Sequence, residues 1–137
     1  MIRKFAFIFA LTSLLALAIA CGTSGASREV KSAPVGNLTV ALATGDGVLR
    51  RGDQEFTLTF KDAAGKPVDV GAAALTFHMS SMGTMAAMNE TATFTTTDTP
   101  GVYRGKANVE MAGEWQAQVT YEGPVGKGQG SFPITVQ

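Results

Sequence analysis

The chain has 137 residues, with 11 basic against 11 acidic side chains, one His, one Cys and six Met. Balanced charge without a basic patch argues against nucleic acid as a partner. A lone Cys allows no internal disulfide, so the fold must stand on its apolar core.

Met1-Ile2-Arg3-Lys4 opens the chain with positive charge, and an apolar run over residues 5–17 follows, broken only by Thr12 and Ser13. Ala18-Ile19-Ala20 then precedes Cys21. A basic start, an apolar middle and small residues before a cut read as a secretory signal peptide over residues 1–20. The run is short for a membrane span, which needs about 20 apolar residues. Leu17-Ala18-Ile19-Ala20-Cys21 resembles the lipobox of bacterial lipoproteins, with Ala18 where Leu is most usual. That resemblance implies a mature chain beginning at a lipidated Cys21, anchored in the cell envelope outside the cytoplasm. Each buried acyl CH₂ contributes about 0.8 kcal/mol of anchoring. Gly22 after the Cys implies, on the same resemblance, the outer membrane facing the periplasm if the cell is Gram-negative. Without Arg3 and Lys4 the mature chain keeps 9 basic against 11 acidic side chains, a formal net charge of −2.

Residues 21–37 are small, polar and aperiodic, and are expected to form a flexible tether. Residues 38–137 are expected to be one domain with one core. Short alternating runs bounded by turn residues predict an all-β fold, an immunoglobulin-like antiparallel β-sandwich of about seven strands. Leu38, Val40 and Leu42 alternate up to the turn residues Gly45-Asp46-Gly47. Phe56, Leu58 and Phe60 share one face, and residues 62–67 close that strand before a short return segment at 68–70. Ala73, Leu75, Phe77 and Met79 form the next inward row, leaving His78 on the other face. Residues 91–97, rich in Thr, suit an edge strand, and Asp98-Thr99-Pro100-Gly101 is a turn. Residues 102–110 are expected to pair with 113–122 across a tight hairpin at Met111-Ala112, with Trp115, Ala117, Val119 and Tyr121 inward. Residues 123–128 read as a Gly-rich loop. Phe132, Ile134 and Val136 end the chain in a strand that Pro133 assigns to an edge.

The functional signal lies between two of these strands, in His78-Met79-Ser80-Ser81-Met82-Gly83-Thr84-Met85-Ala86-Ala87-Met88. This stretch holds the chain's only His and four of its six Met, the Met at a three-residue step. Thioether sulfur is soft and uncharged and selects Cu(I), and imidazole suits copper as well. Met82, Met85 and Met88 are therefore the leading candidate ligands, with Met79 and His78 beside them. His78 and Met79 point to opposite faces, so a site that includes both requires the chain to turn directly after Met79. Met111 offers a further thioether if its turn lies at the same end of the sandwich. Met also fills gaps in cores and lines adaptable docking surfaces, so a core or interface role stands open for each of them.

Four blocks in order resemble the YtkA-like domain, a relative of FixH-like proteins. They are Asp62-Ala63-Ala64-Gly65-Lys66-Pro67-Val68, Phe77-His78-Met79-Ser80-Ser81-Met82, Gly101-Val102-Tyr103-Arg104-Gly105 and Met111-Ala112-Gly113-Glu114-Trp115. The resemblance covers about residues 38–137. It implies an extracytoplasmic immunoglobulin-like domain, often a lipoprotein or joined to metal-efflux adaptors, whose Met-rich segment after a central strand handles copper. The family's frequent Met-Pro-Gly-Met is Met79-Ser80-Ser81-Met82 here, without the Pro.

Other chemistries lack their residues. A blue-copper centre needs two His and a Cys, and structural zinc needs four Cys or His ligands. No Gly-x-Ser-x-Gly elbow is present. Gly126, Gly128 and Gly130 precede a strand rather than opening a helix, so they form no phosphate cradle. The expectation is a binding protein, not an enzyme, with no small-molecule substrate evident. Two classes follow from the Met segment. One is a membrane-tethered Cu(I)-binding protein that buffers copper or passes it to an efflux or oxidase-assembly protein. The other is a structural or interaction module whose Met loop docks a protein partner without metal.

Overall fold

Alternating apolar residues bury one face of a strand and leave the other to solvent, and this chain repeats that pattern in most of its described strands. A computed structural model describes residues 27–137. The signal peptide expected over residues 1–20, and the lipidation expected at Cys21, lie outside the described residues. Nine strands run in order: β1 (Arg28–Val35), β2 (Leu38–Thr44), β3 (Gly52–Lys61), β4 (Ala72–Met79), β5 (Met88–Thr91), β6 (Thr93–Thr96), β7 (Val102–Val109), β8 (Gly113–Gly123) and β9 (Gly126–Val136). They form a five-stranded sheet ordered β1-β2-β3-β7-β6 and a four-stranded sheet ordered β5-β4-β8-β9. All the pairings between these strands are antiparallel. Setting β1 aside, β2-β3-β7-β6 and β4-β8-β9 reproduce the two sheets of a constant-type immunoglobulin sandwich. In this chain β5 is added beside β4.

The inward rows are those the sequence predicts. Phe56, Leu58, Phe60, Leu75, Phe77, Trp115, Ala117, Val119, Tyr121, Phe132, Ile134 and Val136 are all buried. Each large apolar side chain so buried contributes roughly 1.5–3 kcal/mol. Six aromatic rings meet edge to face in a continuous path, Phe77–Phe56–Phe94–Tyr103–Phe60–Tyr121, with centroids 5.6–6.3 Å apart. Gly101 permits a close approach on this side of the domain. Its φ is +85°, and a Cβ there would stand 2.5 Å from the backbone of Val68.

Several local expectations are corrected. Residues 28–35 are not tether but strand β1, which pairs with β2 from Arg28↔Thr44 to Val35↔Leu38. As an exposed edge with charged residues, β1 carries little apolar alternation. The Thr-rich stretch 91–97 is two strands in different sheets. Ala92 donates its N–H to the Leu75 carbonyl, and the chain then crosses from β5 beside β4 to β6 beside β7. Strands β7 and β8 do not pair with each other, because residues 110–112 arch from one sheet to the other. Residues 123–128 are no loop. Gly123 pairs with Gly126 across Pro124-Val125, which makes a tight β8–β9 hairpin. Residues 68–70 follow a short return beside β3, where Pro67 bridges Lys61 and Val68 N–H donates to the Phe60 carbonyl, without extending into a strand. Strand β9 does lie at a sheet edge, as Pro133 requires.

Tyr103 couples stability to alkaline pH. Its O–H lies 2.9 Å from the Gly71 carbonyl and 3.2 Å from Asp69 Oδ1. Burial, and then the Asp69 charge, push its phenol above the ordinary 10.0. A folded value above the unfolded one means full stability below pH 10.0 and a loss as pH rises through the folded value. Urea midpoints of the wild type should therefore fall above pH 10.0 more steeply than those of Tyr103→Phe. Parallel pH profiles would remove Tyr103 as the cause. At neutral pH the Phe variant loses one hydrogen bond, about 0.5–1.5 kcal/mol.

Candidate metal-binding hairpin

The Met segment forms the β4–β5 hairpin and its extension. The pairs run Thr76↔Thr91, Phe77↔Glu90, His78↔Asn89 and Met79↔Met88. Beyond them the same register reappears at Met82↔Met85. Met82 N–H donates to the Met85 carbonyl at 3.1 Å, and Met85 N–H to the Met82 carbonyl at 2.8 Å. The turn between them is Gly83-Thr84. Gly83 has φ +56°, the positive value that the primed hairpin turns require at their first central residue. Residues that exchange both backbone bonds have Cα atoms about 5.5 Å apart and side chains on one face. Met82 and Met85 are thus a cross-strand pair at the hairpin tip.

The four Met divide into two pairs by burial. Met79 is 5% exposed and Met88, opposite it, packs partly against the core. Met82 is 60% exposed and Met85 42%. The three-residue spacing explains the division. Side chains alternate along a strand with period two, so an odd step sends successive Met to opposite faces. The paired register 79↔88 and 82↔85 therefore places one couple inward and the other outward.

His78 stands on the outer face of the four-stranded sheet, between Asn89 on β5 and Gln116 on β8. Its Nδ1 lies 2.7 Å from Asn89 Oδ1. An amide oxygen only accepts, so Nδ1 carries the proton in this hydrogen bond, and in the neutral ring Nε2 then holds the lone pair. That is the tautomer in which an imidazole acts as a ligand. Ser80 and Ser81 separate Met79 from Met82 and the turn comes only at Gly83-Thr84, so the chain does not turn directly after Met79. His78 and Met82 lie four steps apart along the hairpin, roughly 13 Å at strand rise.

Met111 lies in the β7–β8 arch at the same end of the sandwich. The methyl of Met79 stands 3.2 Å from where a Gly113 Cβ would be, which brings the arch beside the hairpin base. The Met111 side chain packs partly against the core. Its carbonyl accepts from Trp115 Nε1–H at 3.0 Å. Among the described residues no three or more His, Cys, Asp and Glu side chains gather into a cation site. A surface hollow of about 550 Å³ lined by Ala72, Ala74, Thr120, Glu122, Lys127 and Gln129 lies at the other end of the sheet. Sequence reasoning singled out neither Asn89 nor Gly83. The Gly83-Thr84 dipeptide between two Met was the available turn signal, whereas the role of Asn89 depends on register.

Fold and site together define an immunoglobulin-like β-domain that carries an exposed pair of thioethers on an end hairpin. A family model described as YtkA-like matches residues 32–120, and the chain belongs to that family. No curated protein and no solved structure matches it.

Proposed function

We propose that this chain is an extracytoplasmic, membrane-tethered copper-binding protein that holds Cu(I) at the Met hairpin for buffering or delivery. The observation that carries the reading is the cross-strand pair Met82 and Met85, facing the same way from an exposed tip. Two soft sulfurs on flexible side chains, anchored by one turn, match a soft monovalent cation. Thioethers need no deprotonation, so they remain ligands at acidic pH where Cys and His are lost. Met88 and Met111, half-buried beside the tip's base, are the next sulfurs within the same end, and His78 offers Nε2 from the outer face. Met79 serves the core. Lipid on Cys21 would anchor the domain in the envelope, and the recipient would be a copper efflux or oxidase-assembly protein. The chain is read as a binder and not as an enzyme.

Titrating the purified full chain in detergent against a colorimetric Cu(I) chelator tests this. One Cu(I) withdrawn per chain is the expected result. A chain that leaves the chelator complex untouched ends the copper reading.

A further inference from the structure

We propose that Met82 and Met85 are a paired oxidation site, at which a peroxide-class oxidant converts the soft tip into a hard one and so turns off its hold on Cu(I). The part concerning copper rests on the function proposed above; the site itself rests on exposure and packing. Among the described residues Met82 and Met85 are the Met that stand exposed, and they sit among the small residues Gly83, Thr84, Ala86 and Ala87. Met79 is buried with its methyl against Gly113, and Met88 and Met111 pack on the core. Oxidation of a thioether follows access to its sulfur.

In the step itself, one sulfur lone pair attacks a peroxide oxygen. The O–O bond breaks, an S–O bond forms, and the sulfur is oxidised by two electrons to a sulfoxide. The remaining peroxide oxygen leaves as water, so hydrogen peroxide is fully accounted for. Sulfoxide is polar and offers a hard oxygen in place of a soft sulfur, which Cu(I) does not favour. At an exposed tip that polar group is hydrated without disturbing the core. At Met79 it would be buried without a partner, which destabilises the fold. The hairpin can therefore be oxidised while the fold persists, and a thiol-dependent sulfoxide reductase can reverse the change. Because the tip offers two sulfurs only, one oxygen atom is enough to break the pair.

The test is limited hydrogen peroxide treatment of the full chain, followed by peptide mass mapping and Cu(I) chelator competition on the same samples. Oxygen should enter Met82 and Met85 at least about tenfold ahead of Met79, while the fluorescence of buried Trp115 stays unchanged. Chains with one oxygen should lose Cu(I) affinity by at least about tenfold, since even second-shell changes cost 10–100-fold. A Met82→Leu, Met85→Leu chain should take up no oxygen at the same dose. Oxidation that starts at Met88 or Met111 overturns the site, and unchanged Cu(I) competition after single oxidation overturns the switch. If untreated chain never competes for Cu(I), the copper reading fails, and the mass map alone decides the oxidation site.

Discussion

Changing Met82 and Met85 together to Leu is expected to remove competition for Cu(I) while leaving the fold intact. Leu keeps volume and apolar character, and exchanges of this kind cost less than about 1.5 kcal/mol even in cores. At positions as exposed as these the structural cost should be smaller still. What Leu lacks is the sulfur lone pair. Each single change should weaken Cu(I) binding by at least about tenfold, a lower bound taken from second-shell effects, and the double change should bring it below detection. Met88→Leu should have a smaller effect, because Met88 is opposite the buried Met79 and partly packed on the core. The measurement is chelator competition across the wild type and the four variants, with urea midpoints as a check on folding. If the double variant competes as well as the wild type, these sulfurs hold no metal. An apolar tip that survives Met→Leu exchange with function intact would instead favour docking to a protein partner.

The largest loss of stability should follow from Trp115→Ala. Trp115 is fully buried on β8, in the middle of the four-stranded sheet and at its hairpin end. Truncating a buried Trp costs about 3–5 kcal/mol through lost transfer energy and the cavity left behind. A domain of this size has roughly 5–15 kcal/mol in total, so the variant should lose between about a fifth and all of that margin. The indole also donates from Nε1 to the Met111 carbonyl, and its loss frees the arch that lies beside Met79. Trp115→Phe should retain most of the packing and lose chiefly that bond, about 0.5–1.5 kcal/mol. Urea unfolding followed by circular dichroism gives both values. A loss below about 1 kcal/mol for the Ala variant would contradict the core described here.

Strands that bury one full face were legible in the sequence. The rows at Phe56, Leu58 and Phe60 and from Trp115 to Tyr121 alternate because one side of each strand meets the opposite sheet. Edges and crossings were not legible. Strand β1 exposes most of its residues and so shows no period, and Ala92 turns the chain between sheets with no Gly or Pro to mark it. The residues between β7 and β8 are as few as in a hairpin, yet they span two sheets. Local turn chemistry cannot separate these cases, since the choice rests on which sheet each face must cover. The first part of strand β9 was hidden by its Gly residues, while its end at Phe132, Ile134 and Val136 was legible. Gly128 leaves room for Tyr121, its partner across the hairpin, and Gly130 for Val35, which comes from the distant strand β1.

The Met segment was legible as a feature but not as a geometry. Its composition set it apart, and its place at one end of the sandwich followed from the strands on either side. Even spacing suggested Met82, Met85 and Met88 as one group, with Met79 beside it. Pleating splits them instead, so the same interval that drew notice sends Met79 into the interior and Met82 outward.

The four borders of the two sheets share a further property. Strands β5 and β6 are four residues long, β1 carries an irregularity between Glu29 and Lys31 together with Pro34, and β9 contains Pro133. Short length, a bulge, charge and a missing N–H are each means by which a sheet refuses to add a neighbour. Copies of this domain crowded side by side therefore find no ready template for growing into one another, and can be packed densely without fusing into fibres.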